Sequence, residues 1–298
     1  MIPYVRDLDF EYGRADQVSP LIRRVIARNP GPFTYLGTGT YIIGHGEVAV
    51  IDPGPALAEH LDAILGAVAG ERVTAILLTH HHSDHSPLAG PLKARTRAPV
   101  YGCPLAAPVA DDPSAVRMEA DHDQAFAPDF ELCAGGRIAG PDWTLEAIPT
   151  PGHTSNHISY ALEEENALFT GDHIMGWSTT IIAPPDGDMT AYMASLERVR
   201  AGGYATLWPT HGPPVRDVAP FLDAYVAHRL ERQAQILRAL ETAPARIPDL
   251  VPQLYADVDP RLHPAAARSM LAAMIDLVRR GLVRTEGDPG PASEYRLG

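Results

Sequence analysis

The segment Thr79-His80-His81-His82-Ser83-Asp84-His85 packs four imidazoles and a carboxylate into one short stretch, mid-chain. Three further islands carry matching groups: Pro151-Gly152-His153-Thr154, Thr170-Gly171-Asp172-His173 and Pro209-Thr210-His211-Gly212. Imidazole and carboxylate are ligands of borderline metals such as zinc, and their number here suits two ions rather than one. His80 and His82, one residue apart on an extended segment, can point to the same side and grip one ion. Asp84 and His85 follow on a turning backbone and can face a second, and Asp172 is the natural bridging carboxylate. Two ions roughly 3.5–4 Å apart lower the pKa of a bridging water toward about 7 and hold it as hydroxide. Attack on a carbonyl or phosphoryl centre then needs no serine or cysteine nucleophile. Asp84 and Asp172 are the candidate catalytic groups, orienting the nucleophile or shuttling its proton.

A lone histidine is usually a surface or hydrogen-bonded core residue, and His45, His60, His122, His228 and His263 are read that way. His81, His173 and His157 adjoin the candidate ligands and are read as supporting or solvent-facing groups. A low-complexity tract is a poorer account of the cluster, because Asp84 interrupts it and three separate islands match it.

Each island follows an expected strand, where a loop sets functional groups on a rigid scaffold. Thr40–Ile43 and Val48–Asp52 flank the turn Gly44-His45-Gly46 and predict a hairpin. Ala56–Ala69 has a helical period ending at Gly70, and Val73–Leu78 is a buried strand that stops where the histidines begin. A helix over Leu88–Thr96 and a strand over Pro99–Tyr101 follow. Residues 103–142 hold Pro104, Pro108, Pro113, Pro128 and Pro141 among aspartates, which predicts irregular structure near the site entrance. Beyond it come strands at Thr144–Ile148, His157–Leu162, Ala167–Thr170 and Thr206–Trp208, with a helix over Asp188–Arg200. Strands alternating with helices, hairpins included, imply mixed sheets. From residue 217 the character changes: a long helix over Val218–Leu240, a proline-broken stretch, a helix over Ala265–Arg280, then a terminal hairpin from Leu282–Thr285 and Glu294–Leu297. That is the order of a winged helix, so two domains are expected, 1–216 and 217–298.

The HxHxDH motif with three downstream ligands resembles the metallo-β-lactamase superfamily over about residues 18–215. The resemblance implies an α+β fold, a four-layer αββα sandwich with the site at one edge of the paired sheets. It also implies one metal on His80, His82 and His153, a second on Asp84, His85 and His211, and Asp172 between them. Asp52, in Ile51-Asp52-Pro53-Gly54, matches the family's early aspartate that supports the site from behind. Asn29–Thr34, Gly37–Tyr41, Glu163–Asp172 and Gly176–Thr180 are similar to the branch with a C-terminal winged helix, which includes a mitochondrial endoribonuclease acting on single-stranded RNA. Two departures stand out. Ser86-Pro87 replaces a common glycine after the motif, and His81 between the ligands resembles glyoxalase II.

The reading is therefore a dinuclear metal-dependent hydrolase using two divalent ions, zinc first, with iron or manganese as alternatives. Its substrate is a small ester, thioester or lactone, or a phosphodiester of single-stranded RNA. A glyoxalase II-like thioesterase and a ligand-sensing, DNA-binding regulator are the alternatives. Composition bears on this choice: 24 basic against 37 acidic residues give a net charge of −13, which disfavours a general polyanion binder. Residues 221–298 balance ten arginines against ten acids, so the whole imbalance precedes them. Arg268, Arg279, Arg280 and Arg284 could then still guide one RNA strand, although Arg279 and Arg280 near a helix end also complement its dipole. Cys103 and Cys133, thirty residues apart, predict neither a disulfide scaffold nor a thiolate zinc site. No secretion signal or membrane span is read, so a cytoplasmic protein without a membrane partner is expected, with a homo-oligomer open.

Overall fold

The structure, a computed structural model, describes residues 1–105 and 122–298. Strands β1 (Ala15–Ser19), β2 (Ile22–Ile26), β3 (Gly39–Ile43) and β4 (Glu47–Ile51) pair antiparallel in chain order. The sheet continues in parallel through β5 (Arg72–Leu77), β6 (Val100–Gly102) and β7 (Phe130–Glu131). Helices α1 (Ala58–Ala67) and α2 (Ala89–Thr96) are the crossovers that the first two parallel pairings require. The second sheet comprises β8 (Gly136–Ala139), β9 (Thr144–Pro149), β10 (Ile158–Leu162), β11 (Ala167–Gly171) and β12 (Thr206–Pro209), in the order β12-β11-β10-β9-β8. Helix α3 (Met189–Gly202) joins the parallel pair β11 and β12.

Strand alternation builds the layers. Tyr41 and Ile43 of β3 and Ala49 and Ile51 of β4 pack against Leu145, Tyr160, Phe169 and Trp208 of the second sheet. Ile42, Val48 and Val50 point the other way, onto Ile64 of α1 and Leu92 of α2. On the far side, Leu168 and Leu207 lie against Tyr192, Leu196 and Val199 of α3 and Phe221 of α4 (Val218–Thr242). Central strands covered on both faces read as unbroken apolar runs, as they do here. The layers are α, β, β, α.

Helix α4 belongs to two cores. Its first half joins the sandwich through Phe221 and Tyr225, while Ile236 and Leu240 enter the C-terminal core with Leu250, Met270, Met274, Leu277 and Tyr295. That core is completed by β13 (Ala245–Arg246), α5 (Ile247–Leu254), α6 (His263–Arg279), β14 (Val283–Arg284) and β15 (Glu294–Leu297), with strand order β13-β15-β14. Helices followed by a terminal hairpin form the winged helix.

Three expectations need correction. Residues 103–142 are not wholly irregular: β7 and β8 lie within them, while Pro108 and Pro113 fall outside the described residues. Strands β1 and β2 had not been expected. The cysteines are paired, since Cys103 and Cys133 form a disulfide with Cα atoms 4.8 Å apart. Pairing of β6 with β7 sets Gly102 beside Glu131 and carries the chain just beyond each strand into reach. Among the described residues, no helix is long and apolar enough to cross a membrane.

Candidate metal centre

The seven expected ligands lie in loops after β5, β9, β11 and β12, at one edge of the paired sheets. His80 Nε2 and His153 Nε2 lie 2.9 and 3.2 Å from His82 Nδ1. Asp84, His85 and His211 form a second group of mutually close donor atoms. His211 Nε2 is 3.1 Å from Asp84 Oδ2, and His85 Nε2 is 3.6 Å from Asp84 Oδ1. Asp172 spans the two groups. Its Oδ1 is 3.6 Å from His85 Nε2 and 3.4 Å from His211 Nε2, while Oδ2 is 3.9 Å from His153 Nε2. All seven side chains are buried.

Hydrogen bonds on the outer side of the rings fix which nitrogen faces inward. His85 Nδ1 donates to Asp52 Oδ2 (2.8 Å), His153 Nδ1 to the Ile181 carbonyl (2.8 Å) and His211 Nδ1 to the Gly37 carbonyl (3.3 Å). Those acceptors carry no proton, so the rings must. His80 Nδ1 donates to Thr79 Oγ1 (3.0 Å), whose own proton goes to Asp52 Oδ2 (2.8 Å). In its neutral form each of these rings therefore turns a bare Nε2 lone pair inward, the tautomer that metal binding needs. His85 Nε2, His211 Nε2 and Asp172 Oδ1 are buried with no hydrogen-bond partner. Such converging orphans are costly unless a cation satisfies them, and the donor set fits divalent ions.

The two groups differ in charge. Burial, reinforced by neighbouring imidazoles, holds His80 and His82 well below the usual imidazole range. Burial opposes charge on His85 and His211 too, but there the carboxylates outweigh it. Asp84, Asp172 and Asp52 hold His85 well above its usual value, and Asp172 with Asp84 brings His211 up to about 10. Burial raises Asp84 and Asp172 in turn, yet the same two imidazoles leave both lowered. His80 and His82 thus offer neutral donors, and the second group is an ion cluster in which a cation can replace protons.

Asp52 anchors both halves. Fully buried, it accepts from Thr79 N (2.8 Å), Thr79 Oγ1 (2.8 Å), His85 Nδ1 (2.8 Å) and Thr210 Oγ1 (2.9 Å). It thereby ties the loops after β5 and β12 to the end of β4. Its φ of +48° is a left-handed conformation that costs a non-glycine residue about 1–2 kcal/mol, tolerated because four donors hold it. Gly171 (φ +52°) precedes Asp172, and a Cβ there would meet His157 Nε2 at 2.6 Å and Thr79 Cβ at 2.8 Å. His157 donates through Nδ1 to Thr150 Oγ1 (2.8 Å) and accepts the Asp172 N–H at Nε2 (3.2 Å), so it positions the Asp172 backbone.

The C-terminal helices bolt down the loop behind the site. Thr180 N–H donates to Tyr225 Oη (2.7 Å), the Thr180 carbonyl accepts from Arg229, and Ile182 N–H donates to Ser269 Oγ (3.3 Å). Thr180 Oγ1 reaches the Asp172 carbonyl at 2.7 Å, and the adjacent Ile181 carbonyl holds His153. Sequence reasoning missed Thr79, Thr150, Thr180, Tyr225 and Arg229. Only Thr79, next to the motif, offered a local signal. His81 and His173 are buried, not solvent-facing. His81 turns to Asn156 Oδ1 (2.9 Å) and His122 Nδ1 (2.6 Å), and His173 packs on Tyr192. His122, read as an isolated residue, also pairs its backbone with His82.

The sequence profile of the Metallo-beta-lactamase superfamily matches residues 35–211, and that of the beta-lactamase associated winged helix domain matches 247–292. The chain is 30% identical over 277 residues to a Beta-lactamase-like protein 2 homolog of Caenorhabditis elegans, covering 90% of this chain and 88% of that one. It is 31% identical over 229 residues to an atrochrysone carboxyl ACP thioesterase of Cryptosporiopsis sp., covering 76% and 65%. A beta-lactamase domain protein from Burkholderia ambifaria superposes with a TM-score of 0.79 at 19% identity, over 100% of this chain and 97% of that one. A metallo-beta-lactamase family protein from Thermus thermophilus gives 0.74 at 23% identity, over 95% and 100%. These two likenesses show the shared fold. Profile, relatives and donor geometry agree that the chain belongs to the metallo-beta-lactamase superfamily of metal-dependent hydrolases, with an appended winged helix domain.

Proposed function

We propose that the protein hydrolyses a small acyl substrate, a thioester before an ester or lactone, with two divalent ions. His80, His82 and His153 would hold one ion, Asp84, His85 and His211 the other, with Asp172 between them. The observation that carries this reading is the set of four imidazoles whose outward Nδ1 bonds turn Nε2 onto two carboxylates. Zinc is the first candidate, and iron or manganese suits the same donors. When bound, such a pair supplies Lewis acidity and a water acidic enough to attack near neutral pH. Asp84, which lines the adjoining cavity, orients the attacking water and takes its proton, then returns it to the departing thiolate or alkoxide. Asp172 keeps the two donor groups in register. Thr180, held by Tyr225 and Arg229, keeps Asp172 and His153 in place.

The thioester is favoured over RNA on three grounds. The cavity, about 320 Å³, is walled by apolar side chains of the C-terminal helices, and relatives bear the name thioesterase. Three of the four arginines considered as an RNA path are committed elsewhere. Arg268 donates to the Pro184 carbonyl, Arg279 pairs with Asp188, and Arg280 binds Gln233 and Asp276. The test is elemental analysis of protein purified without added metal, beside a screen of an acyl thioester, a lactone, single-stranded RNA and a chromogenic β-lactam. Two metal equivalents and chelator-sensitive thioester turnover are expected. Less than one equivalent, unrestored by zinc, overturns the metal assignment. Cleavage of RNA alone overturns the substrate, and a salt-sensitive gel shift on duplex DNA without any turnover would favour a regulator.

A further inference from the structure

The cavity does not end at the metal ligands. From Asp84, Asp172 and His211 it continues to α4 and α6, where Ile236, Leu262 and Ala266 give it an apolar wall and Arg229 and Arg232 give it charge. Apart from Asp84 and Asp172, no described acidic residue lines it. Arg229 is only 8% exposed. Its guanidinium bonds the Thr180 carbonyl and lies 5.0 Å from the Tyr192 ring centre and 5.7 Å from that of Tyr225. Its Nε has no hydrogen-bond partner, and no carboxylate pairs with it among the described residues. Arg232, half-buried on the next turn, lies over Tyr255 at 4.4 Å and bonds Gln235 Oε1 and the Leu254 carbonyl; among the described residues no carboxylate is in ion-pair contact with it, and only the exposed Glu231 next to it acts on it at longer range.

Carbonyl oxygens and ring faces orient a guanidinium but do not neutralise it. Removing such a cation from water without a counter-charge is expensive. Two of them line the cavity that also holds the candidate hydrolytic centre. A planar guanidinium is matched in geometry by a carboxylate or phosphate.

We propose that this arginine-lined wall is an anion subsite, and that the substrate is an acyl compound carrying a carboxylate or phosphate away from its scissile bond. Arg232 contacts the anion, Arg229 is the fixed charge beside it, and the apolar side chains lining the same cavity pack on the hydrocarbon part of the substrate. The inference rests on the hydrolase reading above, because it assigns the reacting carbonyl to the metal end.

Three thioesters test it with the metal-loaded full chain. They are hexanoyl-N-acetylcysteamine, which is neutral, adipoyl-N-acetylcysteamine, with a carboxylate on the acyl side, and hexanoyl-phosphopantetheine, with its phosphate on the thiol side. The expected result is a kcat/KM at least about tenfold higher for one anionic substrate than for the neutral one, as one charged hydrogen bond implies. The favoured arm identifies which side bears the anion. In R232Q the ratio of anionic to neutral kcat/KM should fall to about one, and in R232K it should largely return. Equal kcat/KM for all three in the parent, or an unaltered ratio in R232Q, overturns the subsite. If none of the three is hydrolysed, the thioesterase reading fails, and calorimetry with neutral hexanamide and anionic hexanoate tests the subsite alone. Tighter binding of hexanoate that R232Q abolishes would uphold it, and equal binding of the two would overturn it.

Discussion

Replacing Asp52 by asparagine changes one atom and no volume, yet it should loosen the metal centre. Asp52 Oδ2 accepts from Thr79 Oγ1, His85 Nδ1 and Thr210 Oγ1, while Oδ1 accepts from the Thr79 N–H. An amide can replace only one of these oxygens. If its NH₂ stands at the Oδ2 position, the two threonines can rotate their hydroxyls, but His85 Nδ1–H faces a donor. The ring must then leave the proton unpaired or move it to Nε2, where it blocks the inward lone pair. If the NH₂ stands at Oδ1, the Thr79 N–H is orphaned and His85 loses its charged acceptor. Either orientation leaves one buried donor unsatisfied, worth about 1–3 kcal/mol of stability. Loss of the partner behind a ligand typically weakens metal binding about 10–100-fold. The effect should concentrate on the ion nearest His85. Titration of D52N with zinc against a chromogenic chelator should therefore show one tight equivalent and one weakened equivalent, with a lowered unfolding midpoint. Two equivalents of unaltered affinity would refute the role given to Asp52.

Asp84→Ala and His153→Ala should each abolish thioester turnover, by at least about 10²-fold, with the far-ultraviolet circular dichroism of the parent retained. Turnover in both would sink their assignments. Burial lowers His60 to about 4 against about 6.5 in the unfolded chain, so its contribution is whole above about pH 6.5 and is lost as pH falls toward about 4. That is about 3 kcal/mol, and urea unfolding of H60Q should show a correspondingly flatter dependence between those pH values. The Cys103–Cys133 disulfide closes a loop of 30 residues, worth about 3–4 kcal/mol by chain entropy. Denatured, unreduced protein should show no free thiol, and reductant should lower the thermal midpoint. Chelation of metal should lower it as well, and added zinc should restore it, as expected of a ligand bound only by the folded state.

The donor cluster was legible because metal binding demands particular atoms, and four of its seven residues stand in one short motif. The double-sided apolar strands β4 and β5 were legible because both faces are covered. Strand β2 was hidden by its charge: Ile22-Arg23-Arg24-Val25-Ile26 buries Arg24 at 4% exposure inside a central strand. Strand β1 was hidden by its polarity, with no fully buried residue to mark it. The bolts on Thr180 had no local trace, because Tyr225 and Arg229 are 45 and 49 residues away and sit in an ordinary amphipathic helix. The disulfide was misjudged for the same reason, since only the β6–β7 pairing brings its two cysteines together.

The bolted loop has a consequence for the order of synthesis. All seven donors precede Gly212, whereas the groups that lock Thr180 and Ile182 arrive with Tyr225, Arg229 and Ser269. A chain emerges from the ribosome amino end first. A nascent polypeptide that has exposed all seven donors therefore still lacks the parts that fasten His153 and Asp172. Competence waits for α4 and α6 to be translated and docked, so the segment after Gly212 sets when the donors can act.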